Sequence, residues 1–140
     1  MNLLVHELIS ELSQEMTTPS EVVQVEAVRP HLYKHNEPAG TIKVQVTDLN
    51  DQLIAESNAL TITDISDAAF FHGYVTFYVN AQLRPDTTYR FKVVAGGGYS
   101  FTDSAYVGVC NAFDLEKYSA DYSPSNGANA CLDLELWRRE

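Results

Sequence analysis

The sequence predicts an all-β fold in which about eight short antiparallel strands close as a sandwich or jelly roll in a single domain. Three observations carry this. The length of 140 residues suits one hydrophobic core and leaves no room for two. Apolar and polar residues alternate with period two in at least four runs, which puts one set of side chains on each face of a sheet. Turn-forming residues punctuate the runs, without ten-residue helices between them.

The elements follow in order. Leu4, Leu8, Leu12 and Met16 recur every four residues, with Glu7, Glu11 and Glu15 on a neighbouring face, a pattern that taken alone favours an amphipathic helix. The same stretch offers Leu12, Gln14 and Met16 as one face of a strand, stopped by Thr17-Thr18-Pro19. Val23 to Val28 is a weaker strand run. The turn residues Asn36 to Gly40 precede a strand in which Ile42, Val44 and Val46 alternate with Lys43, Gln45 and Thr47. Asn50-Asp51 then forms a hairpin-like turn into Leu53 to Ser57, and Leu60 to Ile65 is another weak run. Val75, Phe77 and Val79 alternate with Tyr74, Thr76 and Tyr78. Arg84 to Thr88, with Pro85 presetting φ for a tight turn, introduces Tyr89, Phe91 and Val93 in alternation with Arg90 and Lys92. Gly96-Gly97-Gly98 ends that strand, because three residues without Cβ hold a pleated ladder poorly. Ala105 to Val109 is a weak run, and Leu132, Leu134 and Leu136 alternate with Asp133 and Glu135. Between these last two, Tyr118 to Ala130 has no periodicity and reads as a long surface loop, a kind of segment that tends to be functional or to pack on a partner.

Composition narrows the function. Residues are 45% hydrophobic, 20% charged and 11% aromatic, ordinary values for a folded domain. Nine Lys and Arg face nineteen Asp and Glu, for a formal charge of −10. Phosphate neutralisation on DNA or RNA needs the opposite balance, and so does an electrostatic grip on anionic membranes. No apolar stretch approaches the roughly 20 residues needed to cross a bilayer. Met1 to Ile9 lacks the basic start of a secretion signal, so synthesis in the cytosol is expected. Cys110 and Cys131 are too few for a disulfide scaffold, and neither sits in a C-x-x-C.

Several pieces in order resemble one family. Leu12-Ser13-Gln14-Glu15-Met16-Thr17-Thr18-Pro19 is similar to an opening strand of the form x-S-Q-x-[hydrophobic]-T-x-P. Pro38 to Val44, Leu53 to Ser57, Val75-Thr76-Phe77 and Leu83 to Tyr89 follow. This order resembles jelly-roll β-sandwich modules akin to carbohydrate-binding modules, found in surface proteins and in tailed-phage virion proteins. The end, Leu132-Asp133-Leu134-Glu135-Leu136-Trp137 with the loop before it, looks most like the phage versions. The resemblance implies that Leu12 to Met16 is an edge or opening strand, not a helix, pairing near Leu132 to Trp137. It makes residues 1–7 an N-terminal arm and 8–140 the sandwich domain. In such proteins an arm docks on a neighbouring subunit, which makes Leu3, Leu4 and Val5 candidate interface residues, joined by Trp137 as a packing or interface anchor. The chain is then expected to be a stand-alone accessory part of a virion: a head decoration, a head fibre, or a tail or baseplate attachment. Its expected partners are other virion proteins, further copies of itself in an array, and host glycans, with no nucleic acid and no membrane.

Chemistry is sparse, and no enzyme activity is expected. His6, His31, His35 and His72 are scattered, and there is no G-x-S-x-G, H-E-x-x-H or Walker loop. His31 and His35 could share a metal only if strand geometry brought them together; the default is two polar surface histidines. Asp48 and Asp51, Asp64 and Asp67, and Asp114 and Glu116 flank turns whose oxygens suit calcium. Sugar-binding jelly rolls often hold a structural calcium, but solvated turn carboxylates are the default, so no cofactor or metal is assigned. Aromatic residues are the best contact candidates, because sugars stack on exposed rings and interfaces are rich in Tyr and Phe. Phe71, Tyr99, Tyr106, Tyr118 and Tyr122 form the candidate platform, with Phe70 facing opposite to Phe71 if both lie in a strand.

Overall fold

A computed structural model describes residues 5–8, 10–65, 73–100, 102, 104–112, 131–132 and 134–138. Among them, strand segments form two antiparallel sheets packed against each other as a β-sandwich in a single domain. The segments are β1 Val5–Glu7, β2 Glu11–Thr17, β3 Val23–His35, β4 Thr41–Thr47, β5 Leu53–Glu56 and β6 Leu60–Thr61, then β7 Gly73–Tyr74, β8 Phe77–Leu83, β9 Thr88–Gly96, β10 Tyr106–Ala112, β11 Cys131–Leu132 and β12 Leu134–Arg138. Several follow one another along a single neighbour, so the number of full strands stays near the eight expected.

The first sheet is built on β3. One side of β3 carries β7 and then β8; the other carries β10 and then β12. β1 lies outside β10, and β11 pairs with the end of β10. Pro30 sits inside β3 with no N–H to give. It stands opposite Leu134 at the start of the β12 ladder, while on its other side, in the gap between β7 and β8, its carbonyl accepts from Val75 N at 3.1 Å. A proline is tolerated in this inner strand because the ladders are already interrupted there.

The second sheet runs β2-β9-β4-β5, with β6 following along β4. Ile42, Val44 and Val46 are buried as their alternation predicts, and so are Tyr89, Phe91 and Val93. Asp48 builds the β4–β5 turn: its Oδ1 accepts from Asn50 N at 2.8 Å and Gln52 N at 2.9 Å, while Asp51 takes a left-handed φ of 62°. The weak run at Leu60 to Ile65 is strand only at its start and continues as a 3₁₀ turn, Ile62–Asp64, that drops Ile62 into the core.

The segment with helical spacing is a strand. Leu12, Gln14 and Met16 face inward along β2, and Leu8 is fully buried ahead of it. The expected pairing of this strand near Leu132 to Trp137 is corrected: β2 pairs with β9, and β12 pairs with β3 in the other sheet. Cross-strand chemistry explains the choice. The β2–β9 register sets Glu15 opposite Arg90, which ion-pair at 3.2 Å, and Thr17 opposite Thr88, whose hydroxyls hydrogen-bond at 2.8 Å. Of the residues assigned to an N-terminal arm, the backbone of Val5–Glu7 lies on β10 as β1; Leu3 and Leu4 fall outside the described residues.

The chain crosses from one sheet to the other between β1 and β2, and Tyr99 pins it at Leu8. Its hydroxyl donates to Leu8 O and accepts from Val107 N at 3.2 Å, while Leu8 N donates to Val107 O at 2.7 Å. Tyr99→Phe removes a partner from two backbone groups at once. A loss of about 1–3 kcal/mol is expected, read as a lower urea midpoint with an unchanged m-value.

Candidate functional site

The two outward faces of the sandwich differ in kind. On the second sheet, Arg90 meets Glu15 through Nε and Asp51 through Nη1 at 3.1 Å, and Lys92 Nζ reaches the same Asp51 oxygen at 3.0 Å. Lys43 pairs with Glu56 at 3.2 Å, and Gln45 donates to Glu56 at 3.1 Å. These pairs tie β9 to β2 and to the β4–β5 turn, and β4 to β5. Lys92, hydrogen-bonded to Asp51, and Arg90 beside it hold the Asp51 carboxyl below its ordinary value. Gln45 and then Lys43 do the same for Glu56.

A depressed folded-state value contributes stability above the ordinary carboxylate range, and that contribution disappears as pH falls through the range and below it. Both groups are exposed, so the effect is modest and screened by salt. Asp51→Asn should therefore flatten the acid limb of a stability–pH curve taken at low salt. The two curves should draw together at about 1 M salt, where the Debye length is about 3 Å. Thermal unfolding across pH checks both parts.

The outward face of the first sheet is aromatic. Along β3, Pro30, Leu32 and Lys34 are buried, while Arg29, His31, Tyr33 and His35 are half-exposed in alternation with them. Inward-pointing Lys34 is satisfied: its Nζ donates to Ile65 O at 2.9 Å and pairs with Glu37 at 3.3 Å. Tyr106 on β10 stands opposite His35. The His35 and Tyr106 rings stack at 5.1 Å between centroids, Tyr33 lies 6.0 Å from Tyr106, and Tyr33 and His35 are 6.5 Å apart and near-parallel. These are the separations at which aromatic rings attract, each pair contributing about 0.5–1.5 kcal/mol beyond its buried area. Gly108, opposite Tyr33, adds no side chain to the floor between the strands. At the near end of the row, Arg29 Nε donates to Thr76 Oγ1 at 3.1 Å.

Of the candidate platform, the structure brings Tyr106 into this cluster. It places Tyr99 elsewhere, packed against the core with its hydroxyl engaged by Leu8 and Val107. Phe71, Tyr118 and Tyr122 lie outside the described residues, as do Phe70, Asp67, Asp114 and Glu116. The backbone of Trp137 is in β12 opposite Ala27, and that of Val5 is opposite Cys110. His31 and His35 do share a face, but four residues of strand separate them by about 13 Å with Tyr33 between. His35 faces rings rather than His31. Among the described residues no three His, Cys, Asp or Glu converge as metal ligands, and no helix is long and apolar enough to cross a membrane.

Sequence reasoning missed Tyr33 and His35 as partners of Tyr106. Their signal was the alternation of Arg29, His31, Tyr33 and His35 at every second position, which Pro30 obscured. What such a cluster can do is make contact. Ring faces stack on flat apolar surfaces, while phenol and imidazole edges exchange hydrogen bonds.

No protein-family model matches the chain, and no curated protein matches it.

Proposed function

We propose that the chain is a non-enzymatic accessory part of a tailed-phage particle, a head decoration or a head or tail fibre component. It is made in the host cytoplasm, docks on another virion protein and displays its sandwich. The single observation behind this is the half-exposed Tyr33–His35–Tyr106 cluster on the outward face of one sheet, opposite a face crossed by ion pairs. The order of strand and turn motifs from Leu12 to Trp137 supports the phage setting through its likeness to virion jelly-roll modules. Stacked rings form a rigid contact surface that loses little side-chain entropy on docking, and arrayed copies multiply weak contacts through avidity. The charge of −10 keeps displayed copies soluble.

The test is particle incorporation of Tyr33→Ala/Tyr106→Ala, measured by quantitative mass spectrometry of purified particles. Losing two ring contacts corresponds to at least about tenfold weaker docking, so occupancy should fall accordingly while the variant stays folded. Equal occupancy of the two proteins would refute the docking role.

A second function is favoured by the same cluster: recognition of host-surface glycans. Tyr106 belongs to the residues expected to form a sugar platform, and the rings beside it extend that platform. A glycan array should then give hits with the native chain that vanish in the double variant, and an array without hits counts against it.

A further inference from the structure

His35 is the one member of the ring cluster that carries a proton-dependent charge near neutral pH. Its imidazole stacks on Tyr106 at 5.1 Å with 25° between the planes, and lies 14° from parallel with Tyr33 at 6.5 Å. It is half-exposed at the end of β3. Among the described residues no hydrogen bond or ion pair reaches its ring nitrogens, and its contacts are the two phenol rings.

The charged groups nearby are engaged elsewhere or placed away from it. On β3, Lys34 faces the core, held by Ile65 O and Glu37. Arg29 donates to Thr76, and His31 shares the outward face with Tyr33 between it and His35. The turn after β3 brings Asn36, whose amide donates to Ser104 O, and Glu37, which is taken by Lys34. β10 brings Tyr106, and beyond it Glu7 stands opposite Gly108, two strands from Tyr33. A proton on His35 therefore places a positive charge between two rings with no counter-charge paired to it.

Stacking on the phenols persists in the free and the docked chain, so the cation–π attraction largely cancels on docking. The water around the ion does not cancel. Docking would strip it from a charge that its own chain leaves unpaired, which is strongly unfavourable. We propose that docking through the Tyr33–His35–Tyr106 cluster is controlled by the charge on His35, the neutral imidazole holding the contact and the imidazolium releasing it. This rests on the docking role proposed above and adds to it a response to pH.

Purified particles held at about pH 8 and about pH 5 test it, with the chain retained on them counted by quantitative mass spectrometry. The native chain should fall at least about tenfold at the lower value and rebind when the higher one is restored. His35→Phe and His35→Gln take no proton in this range. Each should be retained equally at the two values, whatever its level at the higher one. His31→Gln should be shed as the native chain is. Particles that keep the native chain equally at both values, that hold it more tightly in acid, or that shed both His35 variants as they shed the native chain would overturn the proposal. Failure of the docking role itself reads differently: Tyr33→Ala/Tyr106→Ala is then retained like the native chain at the higher value, and the pH control falls with it.

Discussion

Phe91→Ala is expected to destabilise the fold by about 3–5 kcal/mol, the range for truncating a buried aromatic side chain. Phe91 is 2% exposed at the middle of β9, the inner strand of the second sheet. It stands opposite Gln14 on β2 and Val46 on β4, so its ring packs where both neighbouring strands turn their buried faces inward. Two neighbours make the site hard to collapse: β9 is hydrogen-bonded on both sides and cannot shift toward the vacancy without breaking a ladder. A domain of this size commonly has only about 5–15 kcal/mol of stability, so the variant should lose a large share of it. Chemical denaturation with circular dichroism reads the change. A loss below about 1 kcal/mol would mean that this ring is not central to the packing between the sheets.

Gly40→Ala is expected to be as damaging through the backbone. Gly40 has φ of 113°, a conformation that side chains oppose. A Cβ there would lie 2.6 Å from Gly96 O, 2.6 Å from Tyr99 N and 2.7 Å from Tyr99 Cα, all of them backbone atoms. The turn at Gly96 to Tyr99 must approach this closely because Gly97 and Gly98 fold it back, at φ of 62° and 89°. That fold brings Tyr99 to Leu8 and Val107. One methyl group would therefore push apart the start of β4 and the end of β9 and withdraw the hydroxyl that pins the chain crossing. A loss of about 3 kcal/mol or more is expected, combining steric overlap with an unfavourable φ. By contrast, Gly98→Ala meets no atom within 4 Å, and its cost should be confined to the strained φ. The difference between the two variants isolates the close approach.

The strands with clean alternation were legible because a half-buried sheet imposes period two, and the buried positions of β4, β8 and β9 follow it, with Thr47 at the end of β4 buried as well. The N-terminal stretch was ambiguous for a definite reason. An interval of four is a multiple of two and also lies close to one helical turn, so Leu8, Leu12 and Met16 satisfy both periods. Gln14 decides between them. It is 1% exposed and shares the inward face, with its amide donating to Glu15 O. A polar residue in that position weakens the strand pattern in sequence, although its hydrogen bonding makes burial tolerable.

Pro30 had a similar effect further on. It ended the apparent run at Val28 and hid seven more residues of β3, including the face that carries His31, Tyr33 and His35. Apart from the β4–β5 hairpin that Asn50-Asp51 announces, strand partners were not legible, since alternation fixes the face of a strand and not its neighbour. The Glu15–Arg90 and Thr17–Thr88 pairs that select β9 for β2 lie more than seventy residues apart in sequence. The same holds for the ring cluster, where Tyr106 could be singled out as an aromatic residue in a strand but its two partners come from β3.

A reconstruction of the assembled particle tests the central claim most directly, namely that a β-sandwich presents its aromatic β3 face to a neighbouring virion protein. The account predicts density for two packed sheets at defined positions on the particle, with Tyr33, His35 and Tyr106 against another subunit and the charged β9 face turned to solvent. Particles that lack the chain, or a chain seated by its charged face with the three rings turned away from every neighbour, would contradict it.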